Sequence, residues 1–187
     1  NLIYVDGFPF DNIVHFDDSF GEQEDIEGGG RYSVFAPNLI NGASFQPGGW
    51  EAAFGGKSGS MLKLDVASGN AETASYNARI DLAGLEFGYD GPSGFDDDTS
   101  LLFSARMQDF GRFFETIGVN DVGSPENTDV ILKTSSRLND QHDLDVLLIY
   151  APEKFVRDID NVLASDEDDP GNYEDIGLEN SETKNTL

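Results

Sequence analysis

DTSLLFSARM, residues 98–107, is the stretch on which the reading of this chain turns. In an extended backbone, successive side chains point to opposite faces. Leu101, Phe103, Ala105 and Met107 then share one face, while Leu102, Ser104, Arg106 and Gln108 share the other. ASYNARIDL, residues 74–82, repeats the pattern: Ala74, Tyr76, Ala78, Ile80 and Leu82 point one way, and Ser75, Asn77, Arg79 and Asp81 the other. Each strand therefore offers an apolar face, expected to be core, and a polar face with a central arginine. That polar face is either an ordinary solvated surface or a platform for a hydroxylated or carboxylated ligand.

The same two-residue period runs along most of the chain, broken by Gly, Asn, Asp and Pro. It predicts strands at Leu2–Val5, Asn12–Phe16, Tyr32–Phe35, Met61–Val66, Ala74–Leu82, Leu101–Met107, Phe113–Val119, Val130–Thr134, Asp145–Tyr150 and Phe155–Leu163. Residues 21–31 and 88–99 read as loops, and a short helical turn is expected within 135–142. No window carries an apolar stripe at helical spacing, and no fixed-period repeat suggests a β-helix. The expected fold is all-β, an antiparallel β-sandwich or jelly roll. Its domain is expected over 1–165, with 1–37 as a candidate N-terminal extension. The acidic segment 166–187 reads as a linker or tail.

Composition narrows the function classes. Acids outnumber bases 36 to 11 among 187 residues, a formal net charge of −25. Nothing in such a chain neutralises a phosphate backbone, so nucleic acid is excluded as a partner, and an anionic membrane surface is disfavoured. The excess acid fits solubility in high salt, cation binding, or an acidic tail. There is no cysteine, which removes disulfides, thiol catalysis and Cys-based zinc sites. No stretch approaches the ~20 apolar residues of a membrane span. The chain opens on Asn without Met, as a processed product does, so the expected location is secreted or cell-surface, in a bacterium or archaeon of a saline environment.

Catalytic signatures are sparse. His15 and His142 stand in unrelated places, and His15, between Val14 and Phe16, reads as structural. There is no Gly-x-Ser-x-Gly elbow and no His-x-x-x-His pair. A two-carboxylate glycosidase leaves no dense signature strand here. Calcium is better supported, because hard cations collect carboxylates and carbonyls from adjoining loops. Candidate ligands are Asp17, Asp18 and Glu22 in HFDDSFGE (15–22), Asp96–Asp98 in FDDDT (95–99), and Asp158 and Asp160 in FVRDIDNVLAS (155–165). Asp160 is either solvated, paired with Arg157, or shares an ion with the N-terminal strand. The run DEDDPG (166–171) resembles a calcium loop but places Pro170 at a ligand position and Gly177 at position twelve, so it is discounted. Sugar binding needs aromatic faces for pyranose rings; Trp50 sits among glycines, and Tyr32, Tyr76 and Tyr89 are further candidates.

The order NGASFQPGGW (41–50), GGKSGSMLKLDV (55–66), a polar-faced strand, DTSLLFSARM, and FVRDIDNVLAS resembles jelly-roll carbohydrate-binding modules with a galactose-binding-like sandwich. The resemblance spans roughly 38–165. It implies glycan binding by exposed aromatic and polar residues and a structural calcium. In that family an Asp of the closing strand ligates the ion together with the first strand and the Gly-Ser-Leu-Lys region, which maps to Asp160 and the neighbourhood of Gly59. Either Asp18 and Glu22 or a group near Phe45 and Gln46 would supply the N-terminal ligand. Leu102 departs from the pattern, standing where an aromatic is expected.

The leading expectation is a non-catalytic, extracellular polysaccharide-binding module. Trp50 and Tyr76 would stack on rings, Asn77, Arg79, Arg106 and Gln108 would hydrogen-bond them, and Asp18, Glu22 and Asp160 would hold calcium. The alternative is a structural or adhesive subunit of a cell-surface or filamentous assembly, self-assembling through its apolar N-terminal segment. A small polysaccharide lyase or glycoside hydrolase is third.

Overall fold

The computed structural model describes residues 1–10, 12–16, 32–56, 59–118 and 124–156, and the backbone alone for 181–186. In chain order the elements are β1 Leu2–Val5, β2 Phe8–Pro9, β3 Val14–His15, β4 Tyr32–Ser33, a 3-10 turn Pro37–Leu39, β5 Ile40–Gln46, β6 Met61–Val66, β7 Ser75–Ile80, β8 Gly84–Pro92, β9 Thr99–Asp109, α1 Phe110–Thr116, β10 Ser124–Asn139, β11 His142–Val156 and β12 Ser181–Thr186. The chain is all-β as expected, in antiparallel and mixed sheets consistent with a β-sandwich, and among the described residues no barrel closes. It divides into two compact units, one drawn from residues 1–67 and the other mainly from residues 68 onward.

The first unit holds a four-stranded sheet in the order β2-β1-β6-β5. β1 and β2 form a hairpin across Asp6-Gly7, both at positive φ (48° and 83°), the conformation whose twist suits a two-residue turn. Asp6 Oδ1 accepts a hydrogen bond from Val66 N at 2.9 Å, tying that turn to the end of β6. β1 runs parallel to β6 on its other side. The start of the apolar N-terminal segment is thus an inner strand with Leu2, Ile3 and Val5 buried. They join Phe10, Phe16, Val34, Phe35, Ala36, Leu39, Met61 and Val66 as the buried apolar residues described in this unit. His15, on the small β3–β4 ladder, is fully buried with its ring 5.9 Å from that of Phe16.

The second unit is a six-stranded antiparallel sheet in the order β12-β11-β10-β9-β8-β7. Its spine is the long β10–β11 hairpin. Asn139 pairs with His142 and leaves only Asp140 and Gln141 in the turn, where Asn139 Oδ1 accepts from Gln141 N at 2.9 Å. This tight hairpin takes the place of the helical turn expected within 135–142. β8 occupies the first part of the expected 88–99 loop. Its glycines face β7 and β9 in the ladder, where a side chain would collide: a Cβ on Gly88 would run into the Asn77 carboxamide. The strand expected at Phe113–Val119 is instead helical through Thr116. Asp109 caps α1 by accepting from Arg112 N at 3.2 Å, and the cap outweighs the alternation of so short a run. β12 hydrogen-bonds along β11, so residues 181–186 of the expected tail are outer-strand backbone. Of the strand expected at Phe155–Leu163, Phe155 and Val156 close β11, and the rest lies outside the described residues.

Candidate functional site

Register across the second sheet fixes which side chains share a face. Arg79 pairs with Glu86, Glu86 with Arg106, and Arg106 with Asp129, giving one row of alternating charge over four adjacent strands. Arg79 Nη2 lies 3.2 Å from Glu86 Oε2, and Asn77 Nδ2 reaches Glu86 Oε1 at 3.4 Å. Arg106 donates through Nε and Nη2 to Asp129 Oδ2. The next row along places Gln108 opposite Asn127 and Asn127 opposite Glu153, with Asn127 Nδ2 donating to Asp129 Oδ2 at 3.1 Å.

Asn77, Arg79, Arg106 and Gln108 are therefore brought to one face, as their alternation predicts. That face, however, is the buried one. Glu86, Asn127, Asp129, Lys133 and Glu153 are all buried, together with Leu102, Ile131, Ile149 and Ala151. It opens to solvent at its margin on β7, where the Arg79 side chain is 61 % exposed against 14 % for Arg106, and at the β10–β11 hairpin tip, where Arg137 and Asp143 are 72 % and 77 % exposed. The expected assignment of core and surface is thus reversed for this sheet. A guanidinium held by a buried carboxylate has its donors committed, and exchanging them for sugar hydroxyls would strand the carboxylate. Glu86 and Asp129, the partners of the two arginines, escaped the sequence reading. The signal for Asp129 was parity, since it alternates with Ile131 and Lys133 on one strand.

The opposite face is apolar and open over three rows, beyond which the row of Asp109, Glu126 and Lys154 is charged. One row runs Tyr76, Tyr89, Phe103, Leu132, Leu148, and the next runs Ala78, Phe87, Ala105, Val130, Tyr150. A third joins Ile80, Leu85, Met107 and Thr128. None of these side chains is charged. Tyr76 is 70 % exposed and Ile80 87 %, and Leu85, Phe87, Met107, Leu144, Val146, Leu148 and Tyr150 are each at least 39 % exposed. Aromatic pairs rigidify the surface, with Tyr76 and Tyr89 centroids 5.1 Å apart and Phe87 and Phe103 6.3 Å apart.

Tyr76 therefore stands across the sheet from Asn77 and Arg79, and one ligand ring cannot meet both faces. Trp50 belongs to the first unit, is half-buried, and donates from its indole Nε1 to Phe54 O at 2.7 Å. Asp18, Glu22 and Asp160, the expected calcium ligands, lie outside the described residues. Among the described residues no group of three or more His, Asp or Glu could hold a metal ion. Asp96 Oδ1 accepts from Asp98 N at 3.0 Å, an Asx turn in an exposed loop. Ser60, beside Gly59, donates to Asn1 Oδ1 at 2.6 Å.

A cleft of about 520 Å³ opens at the end of the second sheet. Ile80, Leu82, Leu85 and Met107 contribute apolar groups to it, and Gln108, Arg112, Asn127, Glu153 and Lys154 polar ones. His142 begins β11 at the exposed hairpin tip. Among the described residues no helix is long and apolar enough to cross a membrane. No protein family, no characterised protein and no solved structure matches this chain.

Proposed function

We propose that this chain is a non-catalytic structural module that works by packing the apolar face of its six-stranded sheet against another protein layer. One observation carries the reading: in a chain of net charge −25, three neighbouring cross-strand rows contain no charged side chain and remain open. With Tyr76, Phe87 and Tyr150 at roughly 150–250 Å² each and the aliphatic side chains somewhat smaller, the nine partly exposed residues leave on the order of 1,000 Å² uncovered, against the few hundred expected of a soluble monomer. A sheet with one such face is half of a layered structure. Side-chain footprinting of the dilute chain tests this. Tyr76, Phe87, Met107 and Tyr150 should be modified heavily and the chain should bind an apolar dye. Protection equal to that of Met61 or Ile131 would sink the idea, because the chain would then cover the face itself.

A second reading, an extracellular polysaccharide-binding module, is favoured by the Tyr76–Tyr89 pair at the open edge of the sheet, since pyranose faces stack on exposed aromatic rings. On this reading the binding face is the aromatic one, not the arginine-bearing one. Retention on neutral polysaccharide gels should be lost with Tyr76→Ala and kept with Arg79→Ala; the reverse pattern contradicts it.

A further inference from the structure

We infer, resting on the docking role proposed above, that the occupant of this face is a second copy of the same chain, laid sheet to sheet as the missing layer of a sandwich. Charge selects the surface. Two chains of net charge −25 repel each other over most of their surface, so a copy can approach closely only where neither side carries carboxylates. The rows through Tyr89, Phe87 and Leu85 are such a surface on both copies at once, which is the requirement of a two-fold, self-complementary interface.

Size agrees with the selection. The exposed apolar area, on the order of 1,000 Å² per copy, meets the roughly 800 Å² per partner of a stable interface. Shape agrees as well. A six-stranded antiparallel sheet is covered most completely by a sheet of the same width, packed about 10 Å away with strands within about 30°. Tyr76, Phe87 and Tyr150 would interdigitate with the Leu and Val residues of the other copy.

The electrostatics also fix the sign of the salt response. Repulsion between two strongly acidic bodies is screened by salt, while apolar burial is strengthened by it. Self-association should therefore rise with ionic strength, the opposite of a contact made between unlike charges.

The test is the mass in solution of the full chain, by light scattering between about 1 and about 100 μM, in NaCl from about 0.1 to about 2 M. The expected result is a dimer whose dissociation constant falls at least tenfold over that salt range. Leu148→Lys, placed twice in a two-fold interface, should raise the dissociation constant at least 100-fold with an unchanged circular dichroism spectrum. Val146→Thr, a milder change on the same face, should raise it several-fold. A dimer insensitive to both variants uses another surface and overturns the inference. A monomer at every salt concentration, with Tyr76 and Phe87 open to footprinting, also overturns it but leaves the docking role standing for a different protein. A monomer with those residues protected removes both.

Discussion

Arg106 sends both Nε and Nη2 to a single oxygen of Asp129, Oδ2, at 2.8 and 2.6 Å, from the directly opposite position on the neighbouring strand. The same oxygen accepts from Asn127. This cluster lies on the buried side of a sheet whose other side is apolar and open, an inversion of the usual arrangement of an antiparallel sheet.

Removing one member of so buried a pair leaves a charge where water does not reach. Arg106→Met is expected to lower unfolding free energy by about 3–5 kcal/mol, while Arg106→Met with Asp129→Leu recovers most of the loss. Urea denaturation of both variants measures the difference. A single variant within about 0.5 kcal/mol of wild type would show that the pair is not holding the face together.

Along the same row, exposure increases toward β7. Arg79 is largely in solvent but its partner Glu86 is buried, so Arg79→Ala leaves that carboxylate with the 3.4 Å Asn77 contact and should cost about 1–3 kcal/mol, less than the loss at Arg106. Equal losses for Arg79→Ala and Arg106→Ala would contradict the gradient of burial across the sheet.

Close backbone approach makes Gly84 sensitive in a way that an exposed glycine is not. A Cβ there would press on the Met107 carbonyl and the Gln108 Cα, so Gly84→Ala should destabilise by about 1–3 kcal/mol. Gly94 stands at φ 78° with open space around it, and Gly94→Ala should show only the strain of a left-handed residue, about 1 kcal/mol. Thermal unfolding of the two variants side by side is the comparison; the larger loss at Gly94 would refute the steric account.

The Asp6-Gly7 turn offers a test confined to the first unit. Asp6→Ala removes the acceptor of Val66 N and puts alanine at positive φ, an expected loss of about 1–2 kcal/mol. Hydrogen exchange at Val66 N should accelerate in that variant; unchanged protection would mean the turn does not anchor β6.

Much of the strand content was legible along the chain. Leu2–Val5 and Met61–Val66 match their strands end to end, and the predicted strands at 74–82 and 101–107 fall on β7 and β9. β8 was hidden because Gly88 and Gly91 fell in a stretch that reads as loop, whereas a Cβ on Gly88 would meet the Asn77 carboxamide and one on Gly91 the Ala74 backbone. α1 was hidden because seven residues are too few for a helical stripe to outvote alternation.

The candidate site was legible in the same partial way. Alternation alone grouped Asn77, Arg79, Arg106 and Gln108 on one face and Tyr76, Ala78, Phe103 and Met107 on the other, because the direction of a Cβ is a property of the local extended backbone. Which face is covered is not local. It depends on whether charges on strands apart in sequence meet opposite charges in the register, as Arg106 meets Asp129 and Arg79 meets Glu86. Sequence by itself determined the class of fold and the membership of each face. Only the tertiary structure decided that the arginine-bearing face lies inside and the aromatic one outside, because ion pairing between neighbouring strands offsets the desolvation that would otherwise keep those charges in water.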